Sequence, residues 1–296
     1  MTAAELRELD IELQHGAIDM HVHTAPCPFP RPHDDADIAR MARDRGFKAV
    51  VFKDHHQPTT GRVHYVSKMV PGIEACGSLV LTAYCGGLNV PAVETAIRFY
   101  NARVIWLPTI TSELHLKKFG SPGFKSYNMA LSPVEPTIVA ENGILRKEIA
   151  EIISLCKSGE VCLGTGHIGA DEIRLVIAEC RRQEFKKLLI THPLFDVPKL
   201  TLDEQKEFAA CDGVFLEYTY LPMTPIWGQG AMPTAEAIAA VGPEKCILSS
   251  DMGNWLNQPS PEAMRAFMQI MRHCGIACDD IYRMAKRNPA YLLSLA

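Results

Sequence analysis

Asp19-Met-His21-Val-His23 closes an apolar run, residues 17–22, that reads as a β-strand. In an extended segment alternate side chains share a face. The spacing therefore predicts Asp19, His21 and His23 projecting together, with Met20 and Val22 on the other side. Two imidazoles so placed can hold one divalent metal, and Asp19 can join them or orient one of them. Alone, an H-x-H is a weak signal, because polar residues at a strand end need no metal to explain them.

The form recurs along the chain. Short, nearly continuous apolar runs lie at 17–22, 48–53, 79–85, 103–109, 161–166, 187–192, 213–219 and 246–251. Strands covered on both faces read this way. Helical patterns separate them. Residues 34–45 begin acidic, carry Ile38, Met41 and Ala42 on one side, and end at Arg45 before Gly46, which suits the helix dipole and a glycine cap. Asn142 is expected to cap a helix with Leu145, Ile149, Ile152 and Cys156 on one face, and Asp171 to cap another with Ile173, Val176, Ile177 and Cys180 inward. Thr201-Leu-Asp-Glu204 is a capping-box pattern. Eightfold strand–helix alternation predicts an α/β fold, a closed (β/α)8 TIM-type barrel in a single domain over 1–296. After the fourth strand comes a long interval, 110–160, rich in Gly, Pro and Ser in its first half. Loops of that size in compact domains are usually functional. Residues 110–142 are expected to form an insertion that acts as a lid over the active face.

The 296 residues carry 30 Lys+Arg and 34 Asp+Glu, a net charge of −4. With no basic stripe interleaved with aromatics, nucleic acid is excluded as an expected partner. No apolar run approaches the ~18 residues of a membrane span, and the start of the chain lacks the pattern of a secretory signal. The expected setting is cytoplasmic, with a small-molecule substrate and room for a homo-oligomer. The ten cysteines form no C-x-x-C pair and read as reduced thiols, mostly in the core. None stands near a base in a nucleophile pattern.

Polar groups end several of the apolar runs. The fifth ends Gly-Thr-Gly-His167, the sixth Leu-Ile-Thr-His192-Pro, the eighth Leu-Ser-Ser-Asp251. In a barrel these carboxyl ends converge on one rim, where active sites of the fold are built. Four histidines and an aspartate at one rim point to a shared metal site. As an ordered set, His21, His23, His167, His192 and Asp251 resemble the amidohydrolase superfamily of metal-dependent hydrolases, and Asn288-Pro-Ala-Tyr-Leu-Leu is similar to its N-x-x-x-L-L tail. The resemblance implies that the four histidines are metal ligands. It also implies that Asp251 is both a ligand and the proton acceptor from an activated water. Many members bridge two metals with a carboxylated Lys or a Glu on the fourth strand; here that strand reads Arg103-Val-Ile-Trp-Leu-Pro-Thr109, and Glu113 and His115 fall in the loop beyond it. The second strand offers a substitute in Lys53-Asp54-His55-His56: Lys53, carboxylated, could bridge, and His55 could add an imidazole.

That second strand also resembles the polymerase-and-histidinol-phosphatase family of phosphoesterases, with K-D-H standing for its T-D-H. The later D-x-H is half present, as Asp251-Met-Gly253, and Tyr84-Cys-Gly-Gly-Leu-Asn89 lacks the family's bridging Glu. Zinc fits the N/O donors best, and nickel, manganese and iron share that chemistry, as one ion or two. The first expectation is hydrolysis of an amide, lactone or ester by a metal-activated water, with Asp251 and His192 catalytic. The alternatives are phosphoester hydrolysis, a mononuclear lyase or decarboxylase, and a non-catalytic metal- or ligand-binding barrel. Arg31, Glu217 and Tyr218 are candidate substrate contacts; His15, His64 and His273 match no motif.

Overall fold

A computed structural model of the chain describes residues 2–124 and 131–295. It opens with α1 (Ala3–Gln14) and runs through β1 (Ile18–Val22), α2 (Asp35–Asp44), β2 (Ala49–Phe52), α3 (Thr60–Met69), β3 (Glu74–Cys76) and β4 (Ser78–Val80). Then come α4 (Val90–Tyr100), β5 (Val104–Trp106), α5 (Glu113–Phe119), a small hairpin of β6 (Ala140–Glu141) and β7 (Ile144–Leu145), α6 (Lys147–Ser158), β8 (Cys162–Gly164) and α7 (Ala170–Arg182). The chain finishes with β9 (Leu188–Ile190), α8 (Leu202–Ala209), β10 (Val214–Thr219), α9 (Met232–Val241), β11 (Cys246–Ser249), α10 (Ser260–His273), α11 (Cys278–Tyr282) and α12 (Asn288–Leu292).

Apart from the hairpin, every strand pair is parallel. One ladder runs β1-β2-β3 and the other β4-β5-β8-β9-β10-β11. Gly77 alone separates β3 from β4, and its carbonyl accepts from Arg103 N–H at 2.9 Å. At the other seam Asp251 N–H donates to His21 O (2.9 Å) and His23 N–H to Met252 O (2.7 Å), tying the end of β11 to β1. The arrangement is the TIM-type α/β barrel, with one hydrophobic cluster between strands and helices. A smaller cluster of strand residues, Met20, Val51, Val104, Trp106, Leu189 and Ile247 among them, closes with Leu292 and Leu293 from the chain's end. Asn288 pins that end: its amide donates to Pro243 O and Cys246 O at 2.9 and 2.8 Å, at the start of β11.

Local signals fared unevenly. Asp34 and Thr201 make the capping boxes that open α2 and α8. Asn142 instead sits at the hairpin turn with φ +52, a conformation Asn tolerates, and the helix waits until Lys147. Gly169, not Asp171, caps α7. The third apolar run is displaced: strand structure there begins with β3 at Glu74 and ends with β4 at Val80, and just beyond it Thr82 Oγ1 donates to His55 O (2.6 Å). All ten cysteines are free, and burial pushes the Cys76 thiol up to about 12. Among the described residues no helix is long and apolar enough to cross a membrane. Of the expected lid, residues 125–130 lie outside the described residues.

Candidate metal centre

β1 does not keep strict alternation. Ile18 pairs with Ala49 and Asp19 with Val50, but Val22 pairs with Phe52, so one extra residue of β1 is accommodated between Asp19 and Val22. Such a bulge re-aims side chains. His21 and His23 face the pocket, whereas Asp19 turns the other way and accepts from Ser250 N–H (2.9 Å) and Ser260 Oγ–H (2.5 Å). The expectation that Asp19 shares their face is thus corrected. Its place is behind the rim, where burial lifts its carboxyl to about 6 against those hydrogen bonds.

Five imidazoles and one carboxylate meet at the rim: His21, His23, His55, His167, His192 and Asp251 all line one pocket. His21 Nε2 and His23 Nε2 lie 3.1 and 3.3 Å from Asp251 Oδ1, and the donor atoms of this trio are within 4.8 Å of one another. The hydrogen-bond network assigns the tautomers. His21 Nδ1–H donates to Glu217 Oε2 (3.1 Å) and His23 Nδ1–H to Lys53 O (2.9 Å). His55 Nδ1 pairs with Thr109 Oγ1 (2.8 Å). His115 Nε2–H donates to Gly123 O (3.0 Å), so its Nδ1 must accept from His167 Nδ1–H (2.9 Å). In His21, His23 and His167 Nδ1 is tied to protein as a donor and Nε2 is left as the lone-pair nitrogen, whereas the partner of His55 Nδ1 is a hydroxyl that can donate or accept. The first arrangement is how metal-ligating histidines are prepared. His192 is buried, with backbone groups of its own residue and Val197 as its nearest polar neighbours.

The backbone at the rim is strained. Asp251 has φ +54 and His192 φ +28, in the left-handed region that non-glycine residues rarely enter, and such residues cluster at functional sites. Gly253 allows the β11–β1 seam: at φ +137, a Cβ there would fall 2.0 Å from His23 O. Gly166 plays the same part before His167, where a Cβ would stand 2.3 Å from Leu107 O.

Electrostatics favour neutral rings. Burial drives His21, His23, His55 and His167 well below the ordinary histidine range. It takes His192 to about 3 and His115 to about 4. Burial also raises Asp251 to about 7 and Glu217 to about 8, opposed by Lys53, whose own amine it lowers to about 8. Lys53 Nζ sits 3.0 Å from His21 Nε2 and 4.2 Å from the Trp106 ring centroid.

Among the substrate candidates, Arg31 lines the pocket, and its buried Nε has no hydrogen-bond partner among the described residues. Glu217 is corrected: it lies behind His21 and orients it, out of the pocket lining. Tyr218 is corrected too. It is the next residue on β10 and therefore points the opposite way, its hydroxyl donating to Gln205 of α8 (2.9 Å). Sequence reasoning missed two features. One is the wall of Phe29, Phe124, Phe195 and Trp227, scattered over loops with no motif. The other is the hold of α5 on His167, in which Ser112 Oγ donates to His167 O (2.9 Å) while His115 meets the ring. His115 was visible as a histidine in a long loop, but nothing in the spacing aims it. The pocket holds about 40 Å3 of free space, room for a few waters.

Several solved enzyme structures are similar to this barrel in fold. They include an amidohydrolase from Pseudomonas aeruginosa (11% identity over 96% of this chain and 98% of that one, TM-score 0.64). A probable dipeptidase from the same organism matches at 11% identity over 100% of both chains, TM-score 0.61. A dihydroxybenzoic acid decarboxylase from Polaromonas sp. JS666, with bound manganese and the inhibitor 2-nitroresorcinol, matches at 9% identity over 95% and 97%, TM-score 0.59. At these identities the likeness concerns the fold. By sequence the chain belongs to a family of unknown function, DUF6282, whose profile matches residues 16–217. No curated protein is similar to it at the level of sequence.

Proposed function

We propose that the chain is a divalent-metal-dependent hydrolase acting on an amide, lactone or ester bond of a small carboxylate. The observation that carries this reading is that His21 and His23, with Nδ1 committed to protein, both bring Nε2 within 3.3 Å of Asp251 Oδ1 at the rim where His55, His167 and His192 also stand. The donor set fits a divalent cation: neutral rings and one carboxylate within reach of one another. His21, His23 and Asp251 would hold one ion, with His167 and His192 beside them. When bound, a divalent cation supplies Lewis acidity and a water acidified to near neutral pH. Positive charge nearby favours the ionised form of Asp251, whose carboxylate then takes the proton from the attacking water and returns it to the leaving group. His192, neutral down to about 3, offers a hydrogen bond to the attacked group and no proton of its own.

Substrate class follows from the walls. Arg31 brings to the pocket a guanidinium whose buried Nε has no hydrogen-bond partner among the described residues, beside Phe29, Phe124, Phe195 and Trp227. A guanidinium beside aromatic rings suits a carboxylate with an apolar or aromatic body. The same features favour a second reading, decarboxylation of an aromatic acid, the activity named for the manganese-bound neighbour. Phosphoester hydrolysis is less well supported, since Arg31 is the only cationic side chain among the described lining residues.

The test is a panel of amides, lactones, esters and aromatic acids presented to metal-loaded protein. Hydrolysis predicts incorporation of labelled oxygen from water into product; carbon dioxide release without it selects the second reading. Metal-loaded protein inert on every class, and unaffected in metal content by Asp251→Asn, refutes both.

A further inference from the structure

We propose that Cys27, Asp54 and His56 form a second metal site, separate from the rim centre, which takes a soft divalent ion such as zinc through a thiolate. The three residues are brought together by the loops that follow β1 and β2. Cys27 Sγ lies 4.0 Å from Asp54 Oδ1 and His56 Nδ1 lies 3.5 Å from the same oxygen. All three donor atoms are within 4.8 Å of one another. In a tetrahedral zinc site with a Zn–S bond of about 2.3 Å and Zn–N and Zn–O bonds of about 2.0 Å, adjacent donors stand roughly 3.3–3.5 Å apart. The cluster reaches that spacing with small side-chain shifts.

His56 is the independent sign of a ligand. Its side chain is only 9% exposed, and its nearest polar neighbours are the other two members of the cluster: Nδ1 has an ion-pair contact with Asp54 at 3.5 Å, without hydrogen-bond geometry, and Nε2 has no hydrogen-bond partner among the described residues. Burying an imidazole with one nitrogen unsatisfied and the other only loosely paired is costly, and such groups call for an ion or another partner. Asp54 divides its two oxygens: Arg62 Nη1 donates to Oδ2 at 3.1 Å, while Oδ1 accepts from the His56 backbone N–H at 2.9 Å and is the oxygen turned to Cys27 Sγ and the His56 ring, with a further lone pair free for an ion. The Arg62 pair and a bound ion are therefore compatible. Cys27 is half-buried, so an ion can reach it from solvent. The thiolate separates this site chemically from the rim, whose donors are nitrogen and oxygen alone.

An ion here would clamp the loop after β1 to the end of β2. Phe29, in that loop, packs against His56 (5.3 Å between ring centroids) and His55 (6.1 Å). Arg31 follows two residues later, with its guanidinium 5.6 Å from the Phe29 ring. The site would thus fix one wall of the pocket without contributing to the chemistry.

Cobalt(II) titrated into the metal-depleted full-length protein tests this. Wild type is expected to develop a thiolate-to-cobalt charge-transfer band in the near ultraviolet. Cys27→Ser should abolish it and His56→Gln should lose most of it, while His21→Ala and Asp251→Asn, which address the rim, should keep it. In parallel, zinc should protect Cys27 of the wild-type protein from alkylation, mapped by peptide mass spectrometry, which needs no variant to fold. Absence of the band, its persistence in Cys27→Ser, or equal labelling of Cys27 with and without zinc overturns the proposal and leaves the rim centre untouched.

Discussion

Glu217 and His115 act on the candidate ligands from behind, each through one imidazole. Glu217 gives His21 a carboxylate partner for Nδ1, which fixes the tautomer and raises the basicity of the other nitrogen. Such outer contacts are typically worth about 10–100-fold in metal affinity. Glu217→Gln keeps the shape and removes the ionisable carboxyl; competitive chelator titration should show metal affinity weakened within that range, and unchanged affinity would deny Glu217 this role. His115 has a pH signature. Its folded-state value, about 4 through burial, lies below the ~6.5 of an unfolded histidine. Between those values the unfolded chain binds the extra proton, so His115 subtracts stability as pH falls from about 6.5 towards 4. Raised carboxyls such as Asp251 and Asp19 pull the opposite way over part of this window, so the net slope is not the test. The difference is: in chelator, the melting temperature of His115→Leu should fall less steeply than that of wild type between pH 6.5 and 4. Parallel slopes would show that His115 does not carry this penalty.

At the scale of elements, the seam between β11 and β1 sets the rim. Gly253→Ala must place a Cβ 2.0 Å from His23 O at φ +137. Strain of that kind costs about 1–3 kcal/mol or more, so the variant should melt several degrees lower and bind metal poorly, since Asp251 and His23 flank the contact. A thermal melt and metal content identical to wild type would contradict this. The sequence exposed the strands through apolar runs and the rim through polar residues that end them, because burial on both faces and convergence of carboxyl ends leave a mark on local composition. It did not expose the extra residue within β1, since register depends on the partner β2, and so Asp19 was aimed to the wrong side. Glu217 and Tyr218 are adjacent on β10, and only strand parity against the barrel interior separates a ligand's support from a bond to Gln205. The packing of Cys27 against Asp54 and His56 joins two loops and has no local signal at all.

At the scale of the molecule, eight strand positions deliver side chains from five of them to one pocket: His21 and His23 from β1, His55 after β2, His167 after β8, His192 after β9 and Asp251 after β11. The spread of these residues over 231 positions, from His21 to Asp251 inclusive, is bridged by parallel pairing and by two backbone bonds at the seam. The long interval after β5 adds α5, which grips His167 through Ser112 and His115. Whether that assembly exists to hold a cation is answered most directly by elemental analysis of the purified protein. It should be made in a Cys27→Ser background so that the rim alone is counted, and repeated with His21→Ala or Asp251→Asn added. The account predicts about one equivalent of a divalent metal, lost in both added variants while circular dichroism and the melting transition show a folded protein. Metal content that stays unchanged when both rim residues are replaced would contradict it.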